Sequence, residues 1–311
     1  MVRAAFAKDL AAYGPDGAAA PAPSPDEGRE YCRRLAATHY ENFTVASWLL
    51  PRGLKPHFHN LYAWCRWADD LADETGDPAR SLQLLDWWQR ELDACYAGQA
   101  RHPVTVALAE TIRQFDIPAE PFHELLSAFR QDQQVRRYES FDDLLEYCRR
   151  SANPVGRLVL YVGGCHDRPR GLLADSVCTG LQLANFCQDV AGDWDRGRIY
   201  IPLNECRAYN YDEQCFGRRE ASPGFRRLLE LQVQRAEDVL RGGLPLVAAV
   251  PRGLAADVWL FIHGGLAILS RIRASQFDVW NHRPQLTGWH KARLLGGCLF
   301  RKVPFLARTA R

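Results

Sequence analysis

The chain has almost no strand signals, no CxxC pair among its ten cysteines and hardly any net charge. It also lacks any uninterrupted apolar run approaching ~18–20 residues. Each absence excludes something. With 39 basic and 37 acidic side chains the formal net charge is +2, which gives no electrostatic reason to expect a nucleic-acid partner. Without a long apolar run no segment is expected to span a membrane, although peripheral attachment stays open. The cysteines lie inside apolar runs, as at Cys65, Cys148, Cys178 and Cys187, so they read as reduced core residues of a cytoplasmic protein. Residues 1–27 are rich in Ala, Pro and Gly but lack the apolar h-region of a signal peptide, and a disordered extension is expected there. No Gly-rich turn between a strand and a helix suggests a dinucleotide fold.

What is present is helix. Of 311 residues, 47% are hydrophobic, enough for a substantial core. From Gly28 onward, long segments carry apolar residues at a period of 3.6, separated by Pro and Gly. Helices are expected at about 29–39, 56–74, 79–97, 102–114, 119–133, 140–150, 154–163, 170–193, 223–242 and 251–276. The fold class is all-α. No repeat and no shift in composition cuts this run, so one domain is expected over 28–295, followed by a basic tail at 296–311. That tail mixes Leu, Phe, Lys and Arg, as would suit either an anionic bilayer surface or a solvated terminus.

Two aspartate clusters stand out: Asp69-Asp70-Leu71-Ala72-Asp73, and Asp189-Val190-Ala191-Gly192-Asp193. Each sets carboxylates four residues apart, one helical turn, where like charges cost an isolated helix roughly 0.2–0.5 kcal/mol. A divalent cation would offset that cost, and Mg²⁺ is commonly held between one or two carboxylates and a substrate's phosphates. Both clusters close unusually apolar segments, so their carboxylates are expected to be buried and in need of partners. Tyr62, Arg66, Asp69 and Asp73 fall on one helical stripe, and Gln182, Asn185, Asp189 and Asp193 on another. Arg66 can pair with the aspartates or grip a phosphate bidentately, and Arg196 and Arg198 follow the second cluster. Two such helices facing each other would hold a diphosphate. A solvated acidic face is the ordinary alternative for either cluster taken alone.

The pattern Tyr62…Arg66…Asp69-Asp70-x-x-Asp73, the run Leu181-Gln182-Leu183-Ala184-Asn185-x-x-Gln188-Asp189-x-x-x-Asp193, and Gly197-Arg198-Ile199-Tyr200-Ile201-Pro202 together resemble the squalene and phytoene synthase family. Phe43, Leu49-Leu50-Pro51 and Tyr147-Cys148-x-x-Ser151-Ala152-Asn153-Pro154-Val155-Gly156 extend the likeness over nearly the whole chain. The resemblance implies a single-domain isoprenoid synthase fold, a helical bundle around a central apolar cavity. It also implies an enzyme that ionises prenyl diphosphates with Mg²⁺, two or three ions together with diphosphate. Such ionisation needs the leaving group's charge neutralised by metal and Arg. The cation left behind needs an apolar, aromatic enclosure.

By the same resemblance, Asp69, Asp70, Asp73, Asp189 and Asp193 are metal ligands. His39, Asn42, Arg66, Gln182, Asn185 and Arg198 bind diphosphate. Tyr147 handles a proton near the departing group, and Phe43, Tyr62, Trp64 and Phe186 are candidates for the aromatic wall. The sequence departs from the family at Gln188, where many members carry Arg, and at Gly192, where they carry Glu. Three segments, His39–Phe43, Ser151–Gly156 and Phe186–Trp194, resemble one bacterial branch, the hydroxysqualene synthases of hopanoid biosynthesis. That branch implies conversion of presqualene diphosphate and water to hydroxysqualene and diphosphate, with no NADPH. It also implies functional links to a presqualene diphosphate synthase and to an oxidoreductase acting on hydroxysqualene, at or near the inner membrane surface. The alternatives are a squalene or phytoene synthase condensing two farnesyl or geranylgeranyl diphosphates, and a non-catalytic relative serving as an interaction protein.

Overall fold

Helix forms wherever the apolar residues recur every three or four positions, and a polar side chain commonly marks its start. A computed structural model describes residues 2–17, 22–38, 51–288, 290 and 294–298. Its helices are α1 Val2–Tyr13, α2 Pro25–Thr38, α3 Lys55–Asp73, α4 Pro78–Tyr96, α5 Pro103–Phe115, α6 Glu120–Asp132, α7 Phe141–Ser151 and α8 Asn153–Val162. There follow α9 Arg168–Gln188, α10 Val190–Asp195, α11 Leu203–Ala208, α12 Glu213–Arg218, α13 Pro223–Gly242, α14 Leu246–Ala249 and α15 Arg252–Ala274. Among the described residues there is no strand, only an isolated bridge between Arg137 and Ile199. Asp77, Ser140, Asp167, Asp212 and Ser222 each accept a backbone N–H at a helix start, worth about 1 kcal/mol apiece.

The described helices group into two compact units. The first draws on described residues within 2–38, 51–135 and 157–166. Its core is aromatic. Trp64, Trp67 and Trp88 are sealed from solvent, with Trp67 and Trp88 stacked at 5.4 Å and Trp64 set edge-on against Phe122 at 4.8 Å. Burial of each such ring contributes on the order of 2–3 kcal/mol. His102 sits among them, 4.4 Å from the Trp67 ring and 4.8 Å from that of Trp88, its Nδ1 accepting from Val104 N–H to cap α5. Burial drives its pKa down to about 3, so the ring is neutral and serves the core.

Residues 2–13, expected to be disordered, form α1 instead. Phe6 packs edge-on against Trp67 at 5.3 Å, and the Tyr31 hydroxyl donates to Asp9 at 2.8 Å while accepting from Trp67 Nε1 at 3.0 Å. A short helix without a long apolar stripe is held by a few anchoring side chains.

The second unit contains α7 and α9 through α15, drawing on described residues within 136–156 and 167–298. Here α9 packs on α13 and α15. Gly180 makes the first of these contacts possible, because a Cβ there would lie 2.7 Å from the Leu240 backbone. Helix α15 is long and apolar enough to cross a membrane by length and composition, yet half of that stretch is buried and it packs on α9 and α13, as a core helix does. Periodicity did not reveal α11, α12 or α14, which have four to six residues each. All ten cysteines are free thiols. The His39, Asn42 and Phe43 positions lie outside the described residues, as does the tail from 299 on.

Candidate active site

Each aspartate cluster is built by its own unit. In the first, α3 turns Leu61, Trp64, Trp67, Ala68 and Leu71 inward at helical spacing. That leaves Tyr62, Arg66, Asp69 and Asp73 on the opposite, more open stripe. The expected burial of all three carboxylates is corrected. Asp73 is exposed and the Asp69 side chain is 47% exposed, whereas that of Asp70 is only 4% exposed. Like charge is therefore relieved partly by water and partly by Arg66.

Arg66 forks over the cluster. Its Nε donates to Asp70 Oδ2 at 3.1 Å, its Nη2 to Asp70 Oδ1, and its Nη1 to Asp69 Oδ2 at 3.2 Å. Burial pushes the Asp70 carboxyl up to about 7, the guanidinium holding it from rising further. Asp70, expected as a metal ligand, is thus committed to Arg66. Asp69 and Asp73 are the carboxylates placed toward solvent.

In the second unit the expected continuous helix over 170–193 breaks at Asp189, whose φ of −106° and ψ of 18° end α9. Helical bonding resumes at once, Asp193 N–H donating to Asp189 carbonyl at 2.8 Å, and α10 begins. One turn therefore still separates the two carboxylates, but across a joint. Asn185 is exposed and Gln182 half-buried on the same stripe. After α10, Gly197 adopts φ +73°, a left-handed turn that glycine makes without steric cost. The turn returns the chain so that Arg198 N–H donates to Asp193 carbonyl at 2.8 Å.

Asp193 is 8% exposed, and its Oδ2 is buried without a hydrogen-bond partner. Burial first, and then Asp189, push its carboxyl up to about 7, against the pull of Arg196, Arg198 and Arg283. A buried, unsatisfied carboxylate oxygen beside a second carboxylate suits a hard divalent cation. Among the described residues no three His, Cys, Asp or Glu side chains converge on one point. Phosphate oxygens and water would therefore have to complete the shell of any Mg²⁺ held here.

The second cluster's principal cation is one that sequence reasoning missed. Arg283, 94 residues downstream, grips Asp189 bidentately, Nη2 to Oδ2 at 2.8 Å and Nε to Oδ1. Next to it Gln188 Nε2 donates to the Pro284 carbonyl at 2.5 Å. Gln188 thus holds the segment that brings Arg283 in. A Cβ on Gly192 would meet nothing within 4 Å, so a longer side chain there is missing for reasons other than space.

Tyr147, on α7, is buried in an aromatic stack. Its ring lies 5.2 Å from Tyr138, 5.9 Å from Tyr200 and 6.3 Å from Phe186, and Phe186 and Tyr200 are parallel at 4.0 Å. These ring faces could stabilise positive charge. Trp64, expected in such a wall, is a core residue of the first unit.

The profile for squalene/phytoene synthase matches residues 36–290. The phytoene synthase of Arthrospira platensis is 30% identical over 279 residues, covering 86% of this chain and 90% of that one. The hydroxysqualene synthase of Rhodopseudomonas palustris is 34% identical over 220 residues, 70% of this chain and 74% of that one. Among solved structures, squalene synthase HpnC from Alicyclobacillus acidocaldarius superposes with a TM-score of 0.78 at 42% identity, covering 82% of this chain and 96% of that one.

Proposed function

The chain belongs to the squalene/phytoene synthase family, and from that premise we propose that it is a hydroxysqualene synthase, converting presqualene diphosphate and water to hydroxysqualene and diphosphate. The observation that carries this reading is the second aspartate cluster. Position 188 holds an amide committed to a backbone carbonyl rather than a free guanidinium, and position 192 bears no carboxylate. A half-site whose nearest guanidinium, Arg283, is already engaged on Asp189 suits a substrate with one diphosphate. Likeness to a hydroxysqualene synthase supports the same choice.

In this reading Asp69 and Asp73 on α3, and Asp189 and Asp193 around the α9–α10 joint, are each carboxylate ligands for Mg²⁺. Asp70 keeps Arg66 oriented. Bound Mg²⁺ supplies Lewis-acid charge neutralisation for the leaving diphosphate. Arg66, Gln182, Asn185 and Arg198 bind the diphosphate oxygens by charge-assisted or amide hydrogen bonds, and His39 and Asn42 are assigned to the same task. Tyr147 donates a hydrogen bond toward the departing group. Phe186 is given the task of facing the cation and excluding bulk water, a role assigned also to Tyr62 and, outside the described residues, to Phe43. No nicotinamide is consumed, because the product is an alcohol at the substrate's oxidation level.

The substrate must come from an enzyme joining two farnesyl diphosphates, and the alcohol must pass to an oxidoreductase. We place the reaction in the cytoplasm, with peripheral contact at the inner membrane surface for a nearly insoluble product. A second reading, phytoene synthase, is favoured by relatives that match a larger share of the chain. Incubation with Mg²⁺ and presqualene, farnesyl or geranylgeranyl diphosphate, followed by mass identification of the lipid, separates the readings. Hydroxysqualene from presqualene diphosphate is expected. A C30 product made from farnesyl diphosphate alone would overturn the assignment.

A further inference from the structure

We infer, building on the water-capture reading above, that Gln232 on α13 positions the water molecule whose oxygen becomes the hydroxyl of the product. A cavity of about 10 Å³ lies within the second unit, lined by Leu183, Phe186 and Cys187 of α9, by Tyr200, and by Gln232. That volume is about what one water requires. Phe186, which the mechanism gives to the cation, lies parallel to Tyr200 at 4.0 Å, so the cavity abuts that ring. Gln182 lies one helical turn before Phe186 on α9, and Asp189 caps that helix three residues after Phe186.

Gln232 is buried, at 6% exposure, and its orientation is fixed from behind. Its Nε2 donates to Glu205 Oε2, and Glu205 Oε1 is held by Arg235. A carboxylate paired with an arginine only accepts, so the amide nitrogen must face Glu205 and the carbonyl oxygen occupies the other branch of the carboxamide. A water that donates to Gln232 Oε1 keeps its lone pairs directed elsewhere, the geometry by which a glutamine orients an attacking water in other enzymes. The Tyr200 hydroxyl and Cys187 thiol, on side chains lining the same cavity, are the kinds of group that complete a buried water's two to four contacts.

The step balances. The C–O bond to diphosphate breaks with its electron pair going to the leaving group. The cyclopropane C–C bonds then rearrange about the vacated carbon and the ring opens, the electrons of the broken C–C bond forming a C=C bond as a lone pair of the held water forms the new C–O bond; the proton that water sheds is taken by the departing diphosphate. Gln232 accepts a hydrogen bond and no proton; it is a positioning residue.

The test compares wild type with Gln232→Leu and Gln232→Asn on presqualene diphosphate and Mg²⁺, measuring diphosphate release and the mass of each C30 product. Thermal unfolding of each variant checks its fold. In Gln232→Leu the share of hydroxysqualene is expected to fall at least tenfold in favour of hydrocarbons formed by proton loss, while diphosphate is still released; Gln232→Asn falls between. An unchanged share of alcohol in Gln232→Leu overturns the inference. Should that variant not fold, a wild-type crystal structure decides: an ordered water on Gln232 Oε1 supports the role, and a cavity closed by side chains refutes it. Wild type giving no hydroxysqualene from presqualene diphosphate refutes the parent reading itself, a failure visible before any variant is examined.

Discussion

Replacement of Asp193 by Asn should stabilise the metal-free protein at alkaline pH while abolishing diphosphate release. The carboxyl is raised from 3.8 to about 7, chiefly by burial. A shift of about 3 pH units corresponds to about 4 kcal/mol between the two protonation states. The sign follows from proton counting. Below pH 3.8 the group is protonated folded or unfolded and contributes nothing. Between 3.8 and 7 the folded chain keeps a proton that the unfolded chain releases, so stability falls as pH rises and the full loss is present above 7. Asparagine cannot ionise, which removes this loss, but an amide placed where Asp193 Oδ2 has no partner costs about 1–3 kcal/mol.

The net gain expected for Asp193→Asn is therefore about 1–3 kcal/mol at pH 8 and none or a small loss at pH 5. With an unfolding entropy of about 2.1 cal/mol/K per residue, the 311-residue chain should melt about 2–5 °C higher at pH 8. Scanning calorimetry without metal, at pH 5 and pH 8, measures this directly. Addition of Mg²⁺ with diphosphate should raise the wild-type midpoint and leave that of the variant nearly unmoved. A variant that is no more stable than wild type at pH 8, or a difference independent of pH, would refute the reasoning.

Arg66→Ala should cost about 1–3 kcal/mol at pH 8 and less at pH 5, because Asp70, once protonated, no longer needs the guanidinium; urea midpoints at both pH values check this, and a larger loss at pH 5 contradicts it. Arg283→Gln should leave stability within about 1 kcal/mol, since that side chain is half exposed. It should nevertheless lower diphosphate release at least tenfold by removing the guanidinium that orients Asp189 and adds positive charge to the second cluster; unaltered release would remove Arg283 from the site. Deletion of residues 1–13 should cost about 2–3 kcal/mol through the loss of Phe6 from the Trp67 ring and shift tryptophan emission to the red. An unshifted spectrum would mean that α1 is not docked.

The long helices were legible because their apolar residues repeat at 3.6 over several turns, and each of the ten expected segments has a counterpart with bounds close to those read from periodicity. Two kinds of element escaped. Short helices such as α11 and α12 have at most two turns, too few for a period to register. Helix α1 carries no sustained apolar stripe and owes its place to Phe6, Asp9 and Tyr13 meeting Trp67, Tyr31 and His102. Those partners are distant in sequence, and composition alone made the segment look unstructured.

In the site, residue identity was legible but burial was not. Spacing placed Asp69, Asp73 and Arg66 on one stripe, yet it could not tell that Asp70 would be the carboxylate turned inward, since that depends on which face the Trp67–Trp88 stack covers. The second cluster is more instructive. A sequence lacking Arg before Asp189 reads as a half-site short of one positive charge. The fold restores a cation from 94 residues away, and the very substitution that seemed to remove it, Gln188, donates to the neighbouring Pro284 carbonyl. Asp189 thus takes its cation from a downstream segment and not from α9. A guanidinium already engaged on the carboxylate has less capacity left for a second phosphate group than one projecting freely from α9. On the reading proposed above, it is this commitment of Arg283 to Asp189, rather than a loss of charge, that would suit a substrate carrying a single diphosphate.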